Sequence, residues 1–200
     1  FAYPLSRGKL RYERFFMVLM LVTFLFRGGL VPTYIVNGQL LRINNTYWVL
    51  FLPLVFNAWY IIIIRTFFKT SIPSSLIEAA KIDGAGELTI FARIVLPLSK
   101  PAMATVGLFQ TIDIWNNWFQ SLVFTTDEKY HTIQYFVYRM LAEADSISRM
   151  AKIMGFAAAN PPTETARFAM AVVAMGPILF IYPFFQKYFV KGLTIGAVKG

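Results

Sequence analysis

The sequence predicts an all-α protein built as a polytopic membrane helix bundle, and three observations carry that reading. The 200 residues are 57% apolar and 17% aromatic but only 14% charged, whereas soluble domains run near 25% charged. That much apolar surface exceeds what one water-soluble core holds, which excludes a disordered tail and argues against an ordinary soluble enzyme. Four stretches each supply the roughly 20 apolar residues that a helix needs to cross a bilayer core. Between them the basic residues fall unevenly, in the manner of a topology signal.

The spans are expected at 14–36, 46–68, 101–124 and 167–190. Arg27-Gly28-Gly29 and Pro32 interrupt the first, the second holds Pro53 and the run Ile61 to Ile64, and the fourth holds Pro177 and Pro183. Membrane helices tolerate such prolines because neighbouring helices and polar groups satisfy the freed carbonyls. Twelve Lys and Arg (from Arg7 to Arg14, Arg65 to Lys100 and Lys187 to Lys199) flank one side; five (Arg42 and those from Lys129 to Lys152) flank the other. The positive-inside rule then puts the N-terminal basic segment, the 69–100 loop and the C-terminus in the cytoplasm, and the 125–166 connection outside. Phe1-Ala2-Tyr3-Pro4-Leu5 runs straight into the basic cluster, like the cytoplasmic end of a membrane helix, with no initiator Met and no signal-peptide pattern. Residues 1–200 are therefore expected to form a single transmembrane domain that is incomplete at its N-terminus.

The chain has no Cys and one His. A disulfide scaffold, a thiol catalyst and a Cys-based zinc site are thereby excluded, and His131 reads as a polar loop residue. Neither catalytic nor metal-ligating residues are expected. The net charge of +9 is scattered in small groups between apolar runs, which suits topology better than a nucleic-acid surface.

The inner 69–100 loop reads as two short helices. Pro73-Ser74-Ser75 starts the first, with Ser75 and Glu78 spaced as a capping box. Asp83-Gly84 breaks it, and the second runs from Ala85 to Val95 and ends at Leu96-Pro97. Ala79, Ala80 and Gly84 keep the element slim enough to enter a groove on a partner, and Gly84 permits a left-handed turn. On the residues alone, a surface or re-entrant hairpin with Glu78 as a cap explains as much. The outer connection holds an amphipathic stretch from Ile133 to Met154, then the turn Asn160-Pro161-Pro162 and a helix start at Thr163-Glu164.

The inner-loop spacing is Glu78-Ala79-Ala80, three residues, Gly84, nine residues, Ile94, one residue, Leu96-Pro97. It resembles the EAA loop of ABC-importer permease subunits, and it lies between two spans as that loop does. Ala2-Tyr3-Pro4-Leu5-Ser6-Arg7, Gly28-Gly29-Leu30-Val31-Pro32-Thr33-Tyr34, Arg65-Thr66-Phe67-Phe68, Trp115-Asn116 and Tyr182-Pro183-Phe184 resemble the carbohydrate-uptake permeases, the LplC- and MalG-like group with the MetI-type fold, over almost the whole chain. The resemblance implies six helices in the complete subunit, of which this chain would lack the first and most of the second. It implies an ATPase-coupling role for Glu78, Ala79, Ala80, Asp83, Gly84, Ile94, Leu96 and Pro97. It further implies a homologous second permease, two ATPase subunits each receiving one EAA loop, an extracytoplasmic solute-binding protein and an oligosaccharide substrate. The location would be a bacterial-type plasma (inner) membrane, in contact with lipid, with no nucleic-acid partner. The chain has no G-x-x-x-x-G-K-[ST] motif, so ATP and Mg, and the hydrolysis itself, would belong to the partner ATPase and no cofactor to this chain.

In the third span Gln110, Asp113, Asn117 and Gln120 are spaced to share one helical face, and such groups do not face lipid at that density. Trp115, Asn116 and Trp118 sit beside them. Sugars offer hydroxyls to amides and flat C–H faces to rings, so a translocation path is one reading; interhelical hydrogen bonding and interfacial tryptophans are the other. Arg27 is the remaining path candidate. It lies about 14 residues in from Glu13, roughly 20 Å, and Asp113 lies about 12 residues in from Pro101, roughly 18 Å, at 1.5 Å per residue. A lone charge at that depth costs about 2.5–3.5 kcal/mol. The two either pair, share a water-filled path, or are relieved separately by snorkelling and by a neighbouring helix. Two other functions fit part of the pattern: a permease for amino acids, peptides or phosphate, and a passive channel, which would have no need of an ATPase dock.

Overall fold

The computed structural model describes residues 1–8, 10–154, 165, 168–176, 178–181, 183 and 185. Among the described residues all regular structure is helical and there is no strand. In chain order the elements are α1 (Ala2–Ser6), α2 (Glu13–Leu25), α3 (Leu30–Ile35) with a π-helical turn at Val36–Leu40, α4 (Tyr47–Val55), α5 (Ala58–Ser71) and α6 (Ser74–Ile82). Then come α7 (Glu87–Ile90), which runs through a π-helical turn at Phe91–Val95 into α8 (Leu96–Leu98), α9 (Lys100–Trp115), α10 (Phe119–Phe124), a 3-10 turn at Glu128–Tyr130 and α11 (Ile133–Ile153).

Each of the first three expected spans comes as two helices rather than one. In the first, α2 ends in an extended Phe26, and Gly29 ahead of α3 has φ +87°, a backbone region open to glycine. In the second, Asn57 separates α4 from α5, and its Oδ1 accepts the Trp59 N–H at 3.0 Å. That is an N-cap, a contact that favours starting a helix anew. In the third, the chain leaves α9 after Trp115, and the Asn117 Oδ1 accepts the Gln120 N–H at 2.9 Å to open α10. Among the described residues no single helix is long and apolar enough to cross a membrane. Three broken pairs are long and apolar enough when their two helices are taken together: Glu13–Leu25 with Leu30–Leu40, Tyr47–Val55 with Ala58–Ser71, and Glu87–Leu98 with Lys100–Trp115. Of the fourth expected span, 168–176 and 178–181 are helical. Its remaining positions up to 182, the turn at 160–162, the helix start at 163–164 and the C-terminal residues from 186 lie outside the described residues.

Two compact units divide the chain: 1–28 with 56–110 and 185–200, and 29–55 with 111–184. In the first, α1 packs on α5, and the core is Ala2, Phe68, Ile72, Ile77, Ile90 and Val95, flanked by Tyr3, Ile64 and Phe91. In the second, α10 packs on α4 and α11. Tyr34 stacks on Phe124 and Trp118 on Tyr138, with ring centroids 5.7 and 4.0 Å apart.

Two readings of the inner loop change. The Ser75–Glu78 capping box does not form: α6 starts two residues earlier than an N-cap at Ser75 would give, at Ser74, behind Pro73, with no side-chain cap. Pro73 at φ −61° and ψ 133° sets the entry by its own ring, so the hydroxyl is not needed to begin the turn. Nor does Pro97 end the second helix, which continues to Leu98. The π-helical turn ahead of Pro97 passes the Leu96 N–H to the Phe91 carbonyl. This wider turn accommodates a proline ring that a regular α-helix would meet with a clash and a lost hydrogen bond.

Candidate functional site

The hairpin of Ser74–Leu98 is set by its turn. Gly84 has φ +80°. Its N–H reaches the Lys81 carbonyl at 3.0 Å, and the Ala85 N–H reaches the Ala80 carbonyl at 2.9 Å, so the last carbonyls of α6 are satisfied. A Cβ at Gly84 would meet nothing within 4 Å, so the backbone angle and not crowding calls for glycine.

The two arms have unlike faces. Ile77, Ile90 and Val95 are buried at 2% exposure or less. Ala80, Ala85 and Ile94 pack against the same core, Leu96 is half-buried and Pro97 is exposed. Outward stand Leu76, Glu78, Ala79 and Asp83, together with Ile82 at 87% and Leu88 at 83% exposure. Two large aliphatic side chains thus stand open on a well-seated hairpin. The motif thus splits by role: Ala80 and Ile94 seat the hairpin, and Glu78, Ala79 and Asp83 are presented.

Beside the turn, Glu87 accepts a hydrogen bond from the Tyr3 hydroxyl at 2.8 Å and pairs with Lys81 across the hairpin. The bond from Lys81, then the one from Tyr3, holds the Glu87 carboxyl below its usual range. Burial, then the Glu87 bond, pushes the Tyr3 phenol up to about 12. Sequence reasoning missed this tie. The Lys81–Glu87 charges, six residues apart around a glycine turn, were a usable signal; Tyr3, 84 residues from Glu87, offered none.

In the third span the break redistributes the polar stripe. Gln110 and Asp113 lie on α9, Asn116 and Asn117 lie in the break, and Gln120 begins α10. The one continuous face expected for them is therefore interrupted. Asn117 is used as a cap, and the Trp115 Nε1–H donates to the Ala174 carbonyl at 2.9 Å, joined there by the Gln134 Nε2 at 3.3 Å. Gln120 is 9% exposed, and its Oε1 has no partner among the described residues. Asp113 and Asn116 are exposed. Arg27 falls in the break at 26–29 and is exposed as well. His131 is in a loop as read, its ring edge-on to Tyr135 at 4.6 Å. An open cleft of about 470 Å³ lies between it and the last turn of α9, at Thr111, Ile114 and Trp115. No group of three metal-ligating side chains occurs among the described residues.

The chain that carries this hairpin is similar to known proteins. Residues 14–195 match the family of binding-protein-dependent transport system inner membrane components. The chain belongs to this family. As a permease component it is 41% identical over 199 residues to the polygalacturonan/rhamnogalacturonan transport system permease protein YtcP of Bacillus subtilis (strain 168), with 100% of this chain and 68% of that protein covered. It is 40% identical to protein LplC of the same organism, with 100% and 66% covered. Among solved structures it resembles a bacterial ABC transporter involved in the import of the acidic polysaccharide alginate, at TM-score 0.77 and 30% identity, with 94% of this chain and 66% of that one covered. The permease chain thus spans about two thirds of the length of these relatives.

Proposed function

We propose that this permease component serves an ABC importer of oligosaccharides, forms half of its translocation path, and couples that path to separate ATPase subunits through the Ser74–Leu98 hairpin. The observation that carries the coupling role is the outward tip of Glu78, Ala79, Ile82, Asp83 and Leu88 on a hairpin whose other face is buried. A groove contact transmits displacement when the inserted element is rigid and shaped to fit. The partners in this reading are a homologous second permease, two ATPases that bind ATP and Mg, and an extracytoplasmic solute-binding protein met by the 125–166 connection. Residues 14–36, 46–68, 101–124 and 167–190 supply four spans of a multi-pass protein of a bacterial-type plasma membrane. Within the path, exposed Asp113, Asn116 and Arg27 suit sugar contact, while Trp115, Asn117 and Gln120 shape the break, and Gln110 lines the same helix as Asp113. The transported sugars carry carboxylates. The support is that two of the relatives are named for galacturonan and alginate, both polymers of sugar acids.

The test uses the complete transporter in proteoliposomes with its binding protein. Oligogalacturonates are expected to stimulate ATP hydrolysis. Gly84→Val forces a β-branched residue into the left-handed region, at a cost of roughly 1–2 kcal/mol, and should abolish the stimulation while the complex still assembles. Stimulation by neutral maltooligosaccharides alone would overturn the acidic substrate. Stimulation only by amino acids, peptides or phosphate would overturn the oligosaccharide reading, and full stimulation of the Gly84→Val complex would overturn the coupling role.

A further inference from the structure

The first unit contains a run of polar contacts that seating the hairpin does not require. Ile77, Ile90 and Val95 already bury its inner face, and burial is non-directional, so an apolar seat alone lets a helix slide. Direction comes from Tyr3. Its ring lies edge-on to Phe68 at 6.2 Å and tilted on Phe91 at 4.9 Å, and its hydroxyl donates to the Glu87 Oε2 at 2.8 Å. Glu87 opens the second arm of the hairpin and pairs with Lys81 on the first, so one carboxylate holds both arms to Tyr3. Behind Tyr3 the chain is pinned again. Leu5, at 1% exposure, is buried, and its carbonyl accepts the Arg65 Nε–H at 2.9 Å. The same guanidinium donates through Nη2 to the Glu13 Oε1 at 2.9 Å, and Glu13 is the first residue of α2. The Arg65 and Glu13 side chains are only 16% and 21% exposed, which protects the pair from screening by solvent.

We propose that Tyr3, Glu87 and Arg65 are positioning residues that join the coupling hairpin, through α1, to the first turn of α2, so that a displaced hairpin carries that helix end with it as one body. The inference rests on the coupling role proposed above. The Tyr3 phenol, pushed up to about 12, stays a donor, and Glu87, held below the usual carboxyl range by Lys81 and Tyr3, stays an acceptor, so the tie holds across physiological pH. Arg7 is the other charged group acting on both.

Residues 1–200 hold no cysteine, so in a complete transport complex with its other cysteines replaced, Thr89→Cys places a single spin label on exposed Thr89 of α7, outside the residues assigned to the dock. Tyr3→Phe keeps both ring contacts and removes only the hydroxyl; Glu87→Gln keeps an acceptor for it. Tyr3→Phe should raise label mobility and lower substrate moved per ATP by roughly two- to tenfold, the worth of one hydrogen bond. Recovery of the ATPase subunits and hydrolysis without substrate should stay unchanged. Glu87→Ala should do the same, Glu87→Gln should restore most of the loss, and Tyr3→Phe with Glu87→Ala should be no worse than Glu87→Ala alone, since coupled residues are not additive. Unchanged label mobility in both single variants, or additive losses in the double variant, would overturn the tie. Label mobility is read without substrate, so it decides the tie even where no oligosaccharide stimulates hydrolysis, an outcome that would instead sink the proposed function.

Discussion

The hairpin of Ser74–Leu98 and the turn around Asn45 are both anchored to distant parts of the chain, the first through Ile77, Ile90 and Val95 and the second through one amide. Asn45 has φ +54°, a conformation that asparagine tolerates better than most residues. Its Oδ1 accepts the N–H groups of Thr126 and Asp127 at 2.6 and 3.3 Å, and its own N–H donates to the Phe124 carbonyl at 3.0 Å. Nearby, Tyr47 reaches the Lys129 carbonyl at 3.4 Å and meets the Tyr130 ring edge-on at 4.8 Å. Hydrogen bonds of this kind fix register, because they weaken steeply with angle and distance. Apolar burial tolerates a small rigid shift. An element meant to be displaced by a partner is better seated by burial with one directed tie, and a turn meant to hold two segments in register is better clamped by an amide.

That contrast can be broken experimentally, beginning with the largest effect. Ile90→Ala empties a fully buried place in the hairpin seat and should cost roughly 2–5 kcal/mol, read as a lowered midpoint in thermal unfolding of the purified complex. A shift within error would mean that the hairpin is not seated by its apolar face. Asn45→Ala removes the clamp and leaves its partners unsatisfied, at about 1–3 kcal/mol; proteolysis at 125–130 should rise while the Thr89→Cys label reports an unchanged hairpin. An equal response of that label would erase the distinction between the two regions. The smallest effect belongs to Arg139→Ala. Arg139 reaches Glu143 at 3.4 Å and Glu128 at 3.6 Å, with all three side chains well exposed. Such pairs are worth about 0–1 kcal/mol, and the unfolding midpoint should barely move. A large drop would show that surface pairs contribute to the order around α11.

The local features were legible in advance. α11 runs over Ile133–Ile153, close to the amphipathic stretch expected at 133–154, and Thr132 caps it by accepting the Tyr135 N–H at 3.3 Å. The Gly84 turn stands where Asp83-Gly84 predicted it. The box of Ser75 and Glu78 misled because a proline can open a helix without a side-chain cap. The stripe of Gln110, Asp113, Asn117 and Gln120 misled because spacing places residues on one face only while the helix continues, and Asn117 was spent on ending that continuity.

Composition and helical period pointed to an all-α chain apolar enough for a membrane, and the likeness of the inner loop to a known family marked its hairpin as EAA-type. Hydropathy and helical period are properties of neighbouring residues, and a glycine at a left-handed turn is a property of one. Tertiary structure decided where the long apolar stretches break, which face of the hairpin is seated, and which residues lie behind it. Tyr3 with Glu87, Arg65 with Glu13, and Asn45 with Thr126 stand 84, 52 and 81 residues apart in the chain. No local pattern encodes such pairs, because each bond exists only once the intervening helices have packed.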